Sequence, residues 1–308
     1  MAISSVTFRV DGRQCYADIV QTAAARRTVI IGQYSKIITE QAQTINLTPY
    51  LREMFKYSAP TEEGDLLRDN RAVLPVVTID GVDYYADRVY NGSSNMAQVA
   101  TKLPYRLIAP RQTDVLYIGN IGRDMTAKIY KDGELLNMMA PEGVANRTMV
   151  SAKVKGITDS CEVRVVGAYS TDIDFEETVR YVVKPMGLNG KRLAWINELG
   201  GVDMWNFDHF REQSFGASSE TIYTHNGYVK LNQSAEQLYT VETREATSDA
   251  LNALSYIIAS PMVWLVTDDL TGNPTYEEVD IVTEECKTFS DADVLALQIA
   301  YRAKKRVL

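Results

Sequence analysis

Forty acidic side chains and two histidines set the chemistry this chain can offer. The densest acidic group is Thr171-Asp-Ile-Asp-Phe-Glu-Glu177. In an extended strand, Asp172, Asp174 and Glu176 would line one face and could bind calcium. A calcium loop needs a turn glycine and further carboxylates at fixed spacing, and this segment has neither. The expectation is a solvated strand edge, charged to prevent edge pairing. Asp268-Asp269, followed by Leu-Thr-Gly-Asn-Pro274, reads as a hairpin loop rather than a catalytic pair. A two-carboxylate glycosidase is not excluded by counting, because the fold sets the catalytic distance. His209 sits between aromatics in Phe207-Asp-His-Phe210 with no nucleophile pattern nearby, and reads as a packed or capping histidine. There is no Gly-x-Ser-x-Gly, phosphate-binding glycine loop, His-Glu-x-x-His or Cys-x-x-Cys. Cys15, Cys161 and Cys286 lie far apart and read as buried free thiols. No catalytic residue, cofactor or metal site is expected, and no enzyme.

The aromatic residues offer binding rather than bond-making. Trp195, Trp205, Phe207 and Phe210 could form a platform on which a sugar stacks. They could equally be the core or interface of a strand–turn–strand, with Leu193 and Trp195 on one strand and Trp205 and Phe207 on its return. Packing is the favoured reading, and it gives Gly200-Gly201 a mechanical role at the bend.

The elements that must hold these residues are mostly strands. Asp11-Gly12, Asp80-Gly81, Asp132-Gly133 and Asn226-Gly227 lie beside strand-forming runs, the strongest short-range hairpin signal. Two of the hairpins resemble copies: Asp11-Gly12, Tyr16-Ala-Asp18 and Val20 match Asp80-Gly81, Tyr85-Ala-Asp87 and Val89 at one constant offset. Thr48 as cap and Pro49 at the first position predict a short helix with Leu51, Met54 and Phe55 on one face, plugging one end of a sheet. Ser248 is expected to cap a second helix running to about Ser260. A buried strand at 262–266 and a half-wet closing strand at 294–306 follow. The fold class is mainly β, built as β-sandwich or barrel-like domains with a few short helices, in several domains. Residues 1–110 form a hairpin-rich first domain, 111–185 a sandwich-like second, and 186–308 an α+β third.

With 308 residues, the chain can bury a sizeable core. It has no apolar run long enough for a transmembrane helix, and its first residues alternate rather than forming a leader. Folding in cytoplasm, without membrane insertion, is expected. The net charge of −8 argues against sequence-specific nucleic-acid binding. Residues 241–300 carry twelve acidic side chains against Arg244 and Lys287, and a basic end follows at Arg302, Lys304, Lys305 and Arg306. An acidic face beside a basic tail could pair head to tail between copies; a solvated surface with a frayed end is the other reading.

Three segments, in order, resemble structural proteins of tailed phages and prophages, especially those of Bacteroidetes hosts. They are Ile45-Asn-Leu-Thr-Pro-Tyr-Leu-Arg-Glu-Met-Phe55, Leu193-Ala-Trp-Ile-Asn-Glu-Leu-Gly-Gly-Val-Asp-Met-Trp-Asn-Phe207, and Leu251-Asn-Ala-Leu-Ser-Tyr-Ile-Ile-Ala-Ser-Pro-Met-Val-Trp-Leu265. The resemblance implies a virion component, made in the host cytoplasm. It would form an oligomeric ring or sleeve in a tail, neck or baseplate and act by assembly. The implied partners are copies of itself in a ring and adjacent tail, neck or baseplate proteins. The residues expected at subunit contacts are Trp195, Trp205, Phe207, Phe210, Asp268, Asp269, Arg302, Lys304, Lys305 and Arg306. The alternatives are a carbohydrate-binding or carbohydrate-degrading tail component, with Trp195 or Trp205 stacking on sugar, and a cellular β-rich adhesin-like module.

Overall fold

A computed structural model of the chain is 63% strand, so the protein is mainly β and built from several sheets. The structure describes residues 2–11, 14–55, 59–60, 72–73, 75–86, 89–90, 98–121, 125–139, 148–169, 172–187, 189–225, 227–244, 246–269, 271–285, 288–291 and 294–303.

The first unit is two sheets around one core. Ile3–Asp11, Gln14–Gln21 and Ala42–Asn46 form one; Tyr34–Ile38, Arg27–Ile31, Val76–Ile79 and Val82–Tyr85 form the other. Gln14–Gln21 alternates strictly, burying Cys15, Ala17 and Ile19 against Val29, Ile31, Val77 and Ile79 of the facing sheet. Helix Thr48–Arg52 closes the end with Leu47 and Leu51, as the plug reading expected, but its cap differs. Leu47 occupies the cap position, and the Thr48 hydroxyl instead accepts from the Cys15 amide at 2.9 Å, tying the helix to the sheet. Met54, expected on the buried face, is 45% exposed.

The apparent duplication does not survive as equivalent geometry. Asp80 and Gly81 form a two-residue turn with φ 53° and 78° between Ile79 and Val82. In the first hairpin Asp11 still pairs with Gln14, whereas Asp80 lies outside its ladder, so the two registers differ by one residue. A one-residue difference in register exchanges the faces of a strand. Ala17 is accordingly buried in its strand, whereas Ala86 lies beyond the end of its own. The two hairpins nonetheless pack on the same core, one in each sheet.

The second unit pairs Gln98–Val99, Asp114–Ile121 and Thr148–Val154 in one sheet. The other runs Arg106–Ile108, Asp172–Val183, Cys161–Tyr169, Met125–Lys131 and Glu134–Met139. Ile108, Leu116, Ile118, Ile129, Val150, Val163, Val165 and Tyr181 fill the space between. Residues 98–108, assigned from sequence to the first domain, belong to this sandwich: Arg106–Ile108 runs parallel to Tyr181–Val183. That pairing spans a long stretch of intervening chain, which local patterning does not reveal.

The third unit is an eight-stranded sheet. Its order is Val202–Phe207, Lys191–Ile196, Val263–Asp268, Pro274–Ile281, Val294–Ala303, Gly227–Arg244 and His209–Thr224, with Thr288–Asp291 also on Val294–Ala303. The sheet curls until Trp205, on its first strand, donates its indole N–H to Thr243, on the sixth, at 3.0 Å. Helix Ser248–Ser255 and the 3-10 turn Tyr256–Ala259 cover the inner face with Leu251, Leu254 and Ile257. Thr247, one residue before the expected cap, is the residue that accepts the Ala250 amide.

The Trp-rich hairpin is buried on both sides. Leu193, Trp195, Trp205 and Phe207 face the helix, while Ala194, Ile196, Val202 and Met204 face Ala100, Val115, Tyr117 and Met149 of the second unit. Gly200 turns with φ 80°. At Gly201 a Cβ would stand 2.4 Å from the Ala100 carbonyl, so glycine is required for the two units to touch there. Asn197 seals the same corner, donating to the Ala100 carbonyl at 2.6 Å and accepting from the amides of Leu199 and Gly201.

Candidate functional site

Two features stand apart from ordinary packing: a buried charge cluster between the second and third units, and a ribbon that leaves the third.

The cluster grows from strand ends. Arg106 and Arg192 have side chains 1% and 0% exposed, and Asp114 lies between them at 0%, with its oxygens 3.9 and 3.8 Å from the two guanidinium groups. Asp203 sits 2.8 Å from Arg106, and Asp268 sits 3.1 Å from Arg192. Tyr181 donates to Asp114 at 2.8 Å. Burial and the neighbouring Asp114 push the Tyr181 hydroxyl far above its usual range, so it remains a neutral donor. Burial works against the charge on Arg106, but Asp114 and Asp203 outweigh it and keep the guanidinium protonated. Gln112 bridges further, accepting from Asn206 and donating to Asp268, each at 2.8 Å. With Arg106, Arg192, Asp114 and Asp203 closed to solvent, no substrate reaches them; the arrangement joins two units rather than opening a cleft.

The ribbon is the hairpin of His209–Thr224 and Gly227–Arg244. Its root is held in the sheet where Leu238 to Arg244 pairs with Ala296 to Arg302. Beyond Ser214 and Leu238 the two strands pair with each other and with no other described strand. At about 3.3 Å per residue, the free part is roughly 35 Å long. It carries Phe215, Tyr223 and Tyr228 at 75%, 74% and 79% exposure, with Ile222 and Val229 beside them. Tyr223 and Tyr228 face each other across the strands, ring centroids 5.1 Å apart. The Asn226-Gly227 signal marked the right hairpin, although Gly227 itself is in the ladder, paired with Thr224; residue 226 lies outside the described residues.

At the ribbon root, Glu242 is fully buried and receives Arg211, Arg244 and, at 2.7 Å, the Gln298 amide. Burial raises its pKa, but the hydrogen bonds outweigh burial and hold the carboxyl at about 2, against 4.5 for a free glutamate. A folded value below the unfolded one means stability that is present at neutral pH and is lost as pH falls from 4.5 towards 2. The melting temperature of the wild type should exceed that of Glu242→Gln above about pH 5 and converge with it by about pH 2. A constant gap across that window in calorimetry would refute this role.

The residues expected at subunit contacts divide. Trp195, Trp205 and Phe207 are 0% exposed inside the chain, so they face no partner, and neither tryptophan can stack on a sugar. They are buried because they share one core with Tyr105, Val241 and the helix residues Leu251 and Leu254, which come from distant parts of the chain. Phe210 is half-buried at the ribbon root against Tyr239. Asp268 turns inward to Arg192 and Gln112. Asp269 is exposed and folds its own loop, accepting from Thr271 and Asn273, as the hairpin-loop reading expected. Arg302 is 3.8 Å from Asp280 on the adjoining strand, and Lys304, Lys305 and Arg306 lie outside the described residues.

In the acidic stretch, Glu176 pairs with Arg164 at 3.3 Å and Glu177 accepts the Val99 amide at 3.2 Å; the side chains of Asp172 and Asp174 lie outside those described. Burial pushes the Glu177 carboxyl above its usual range. Among the described residues, no three His, Cys, Asp or Glu side chains are grouped to hold a metal ion, and no helix is long and apolar enough to cross a membrane. His209 lies 3.4 Å from Asp208.

The exposed ribbon aromatics were missed from sequence. Their signal was available: Phe215, Tyr223 and Tyr228 lie in a run of Ser, Thr, Gly and Ala too poor in aliphatic residues to form a core.

Comparison with known proteins adds nothing to the class that the structure shows, a mainly β protein of several sheets. No family model matches it, and no curated protein does. Among solved structures, the I9–I11 tandem of titin aligns over 98% of this chain and 90% of that one, at 8% identity and a TM-score of 0.21, too low for any inference about shared architecture.

Proposed function

We propose that this chain is a structural subunit of a tailed-phage virion, a ring or sleeve component of the tail, neck or baseplate, acting by assembly rather than by catalysis. The observation that carries this reading is the ribbon. A two-stranded hairpin with exposed aromatic rings is marginal in water and gains from being covered, and here it extends from a well-packed body. The buried charge cluster adds to it, because charged groups closed to solvent join units and turn over no substrate. The segments that resemble phage structural proteins include the doubly buried Trp hairpin, whose role is to fasten the third unit to the second. The carbohydrate alternative loses its proposed platform, since Trp195 and Trp205 are enclosed.

Quantitative mass spectrometry of purified particles from the phage or prophage that encodes this chain tests the reading. The protein should be present in several copies per particle, in constant ratio to the capsid protein. Its absence from particles that remain infectious sinks the proposal.

A further inference from the structure

We infer that the ribbon of one copy docks on the sheet edge Glu134–Met139 of a second copy of this chain. This rests on the assembly reading and names the partner of the ribbon.

Size comes first. An aromatic side chain can bury about 150–250 Å², and Phe215, Tyr223 and Tyr228 are each about three-quarters exposed. Together they offer on the order of 450 Å², more than half of the ~800 Å² per partner of a stable interface. Covering them takes a protein surface, not a small ligand.

The edge comes second. Glu134–Met139 ends the five-stranded sheet and pairs with Met125–Lys131 on one side. Open edges in soluble proteins normally carry charge, proline or a protective bulge facing outward. This strand, Glu-Leu-Leu-Asn-Met-Met, has one charge, at its first residue, and one bulge, where the register shifts between Leu135 and Asn137. Leu135 and Leu136 are 52% and 40% exposed. With Leu135, Leu136 and Met138 exposed beside that single charge and bulge, the edge offers an apolar surface on which an added strand can lie.

The fit comes third. Strand addition needs backbone groups on both partners that are not already paired within a sheet, and the ribbon beyond Ser214 and Leu238 supplies them along its outer sides. Its free length of roughly 35 Å exceeds the roughly 20 Å of the six-residue edge. The ribbon is nearly neutral, with Glu220, Lys230 and Glu236 its only charged side chains between residues 214 and 237, so no repulsion opposes docking on an apolar edge. Because the ribbon and the edge are different surfaces of one chain, the contact is head to tail and repeats. It closes into a ring when the rotation permits and runs as a filament when it does not.

The experiment uses the full chain and two variants at exposed positions. The ribbon variant is Phe215→Ser/Tyr223→Ser/Tyr228→Ser; the edge variant is Leu135→Lys/Leu136→Lys. Light scattering after size exclusion gives the mass, and thermal unfolding confirms that each variant is folded. The wild type should assemble beyond one chain. Each variant alone should be monomeric, with the concentration for half-assembly raised at least tenfold. An equimolar mixture of the two variants should form a species that stops at two chains, since one good ribbon meets one good edge and the other pair is spoiled. An edge variant that assembles like the wild type overturns the proposal in favour of ribbon-to-ribbon pairing. A mixture that stays monomeric, or a monomeric wild type, also overturns it, while presence in particles decides the assembly reading separately. A photo-crosslinking benzoylphenylalanine in place of Tyr228 gives an independent readout in an otherwise wild-type chain. The crosslink should map to peptide 134–139; one that maps to the outer face of the first unit, around Ile30, Ile37 or Tyr85, overturns the assignment.

Discussion

Asp114→Ala should lower the stability of the protein by about 3–5 kcal/mol, the usual cost of removing one partner from a buried ion pair. Asp114 is the shared anion between Arg106 and Arg192, and both guanidinium groups are closed to solvent. Removing the carboxylate leaves two buried positive charges with Asp203 and Asp268 on their far sides. It also strips the Tyr181 hydroxyl of its acceptor. Neither charge can reach water without the two units separating, because Arg192 also donates to the Thr113 carbonyl at 2.8 Å across the same junction. Urea unfolding is the measurement, with the loss read from the midpoint at unchanged slope. A decrease below about 1 kcal/mol would mean that water enters the cluster freely and that it does not fasten the units. A change in slope, or two transitions in place of one, would show the second and third units coming apart in separate steps.

Trp205→Ala should cost a similar amount, about 3–5 kcal/mol, through the cavity left in the core and the lost indole hydrogen bond. Trp205 is 0% exposed, stacks at a tilt on Tyr105 with ring centroids 5.3 Å apart, and donates to Thr243. Those contacts tie the first strand of the curled sheet to its sixth and to the segment entering from the second unit. Tyr223→Ala/Tyr228→Ala offers the contrast. Both rings are about three-quarters exposed, so the fold should lose less than about 1 kcal/mol. Guanidinium unfolding of the two variants, run side by side on the monomer, separates core aromatics from surface aromatics. Trp205→Ala within 1 kcal/mol of wild type would place that indole at a surface after all.

Several elements were readable residue by residue. Asp80-Gly81 and Asp132-Gly133 adopt positive φ at both positions, as their hairpins require, because that preference depends only on the two residues in the turn. The closing strand buries Leu297, Ile299 and Tyr301 on one face, a period-2 pattern visible in the sequence itself. At the other two signals the ladder takes in a residue that the turn was expected to use: Asp11 pairs with Gln14, and Gly227 with Thr224, because register depends on the whole strand pair and not on the dipeptide alone. Thr48 and Ser248 looked like caps, but a neighbouring residue takes the position in each helix. A hydroxyl next to a helix start has other amides within reach, and at Thr48 the Cys15 amide wins.

The amino-acid sequence on its own determined that this chain is mainly β, where two of the four signalled hairpins turn, and that a short helix plugs the first unit. Those outcomes follow from backbone preferences and periodicities within a few residues. The tertiary structure alone decided which aromatics are inside. Trp195 and Trp205 are enclosed because the core of the third unit and the surface of the second lie on opposite faces of their hairpin, while Phe215, Tyr223 and Tyr228 stay outside because no other described strand of the chain pairs with theirs beyond the root. It alone also brought Arg192 to Asp114 and Gly201 to Ala100. Burial and charge pairing depend on what lies opposite in space, and for these residues the opposite partner is about 80 to 100 positions away in the chain.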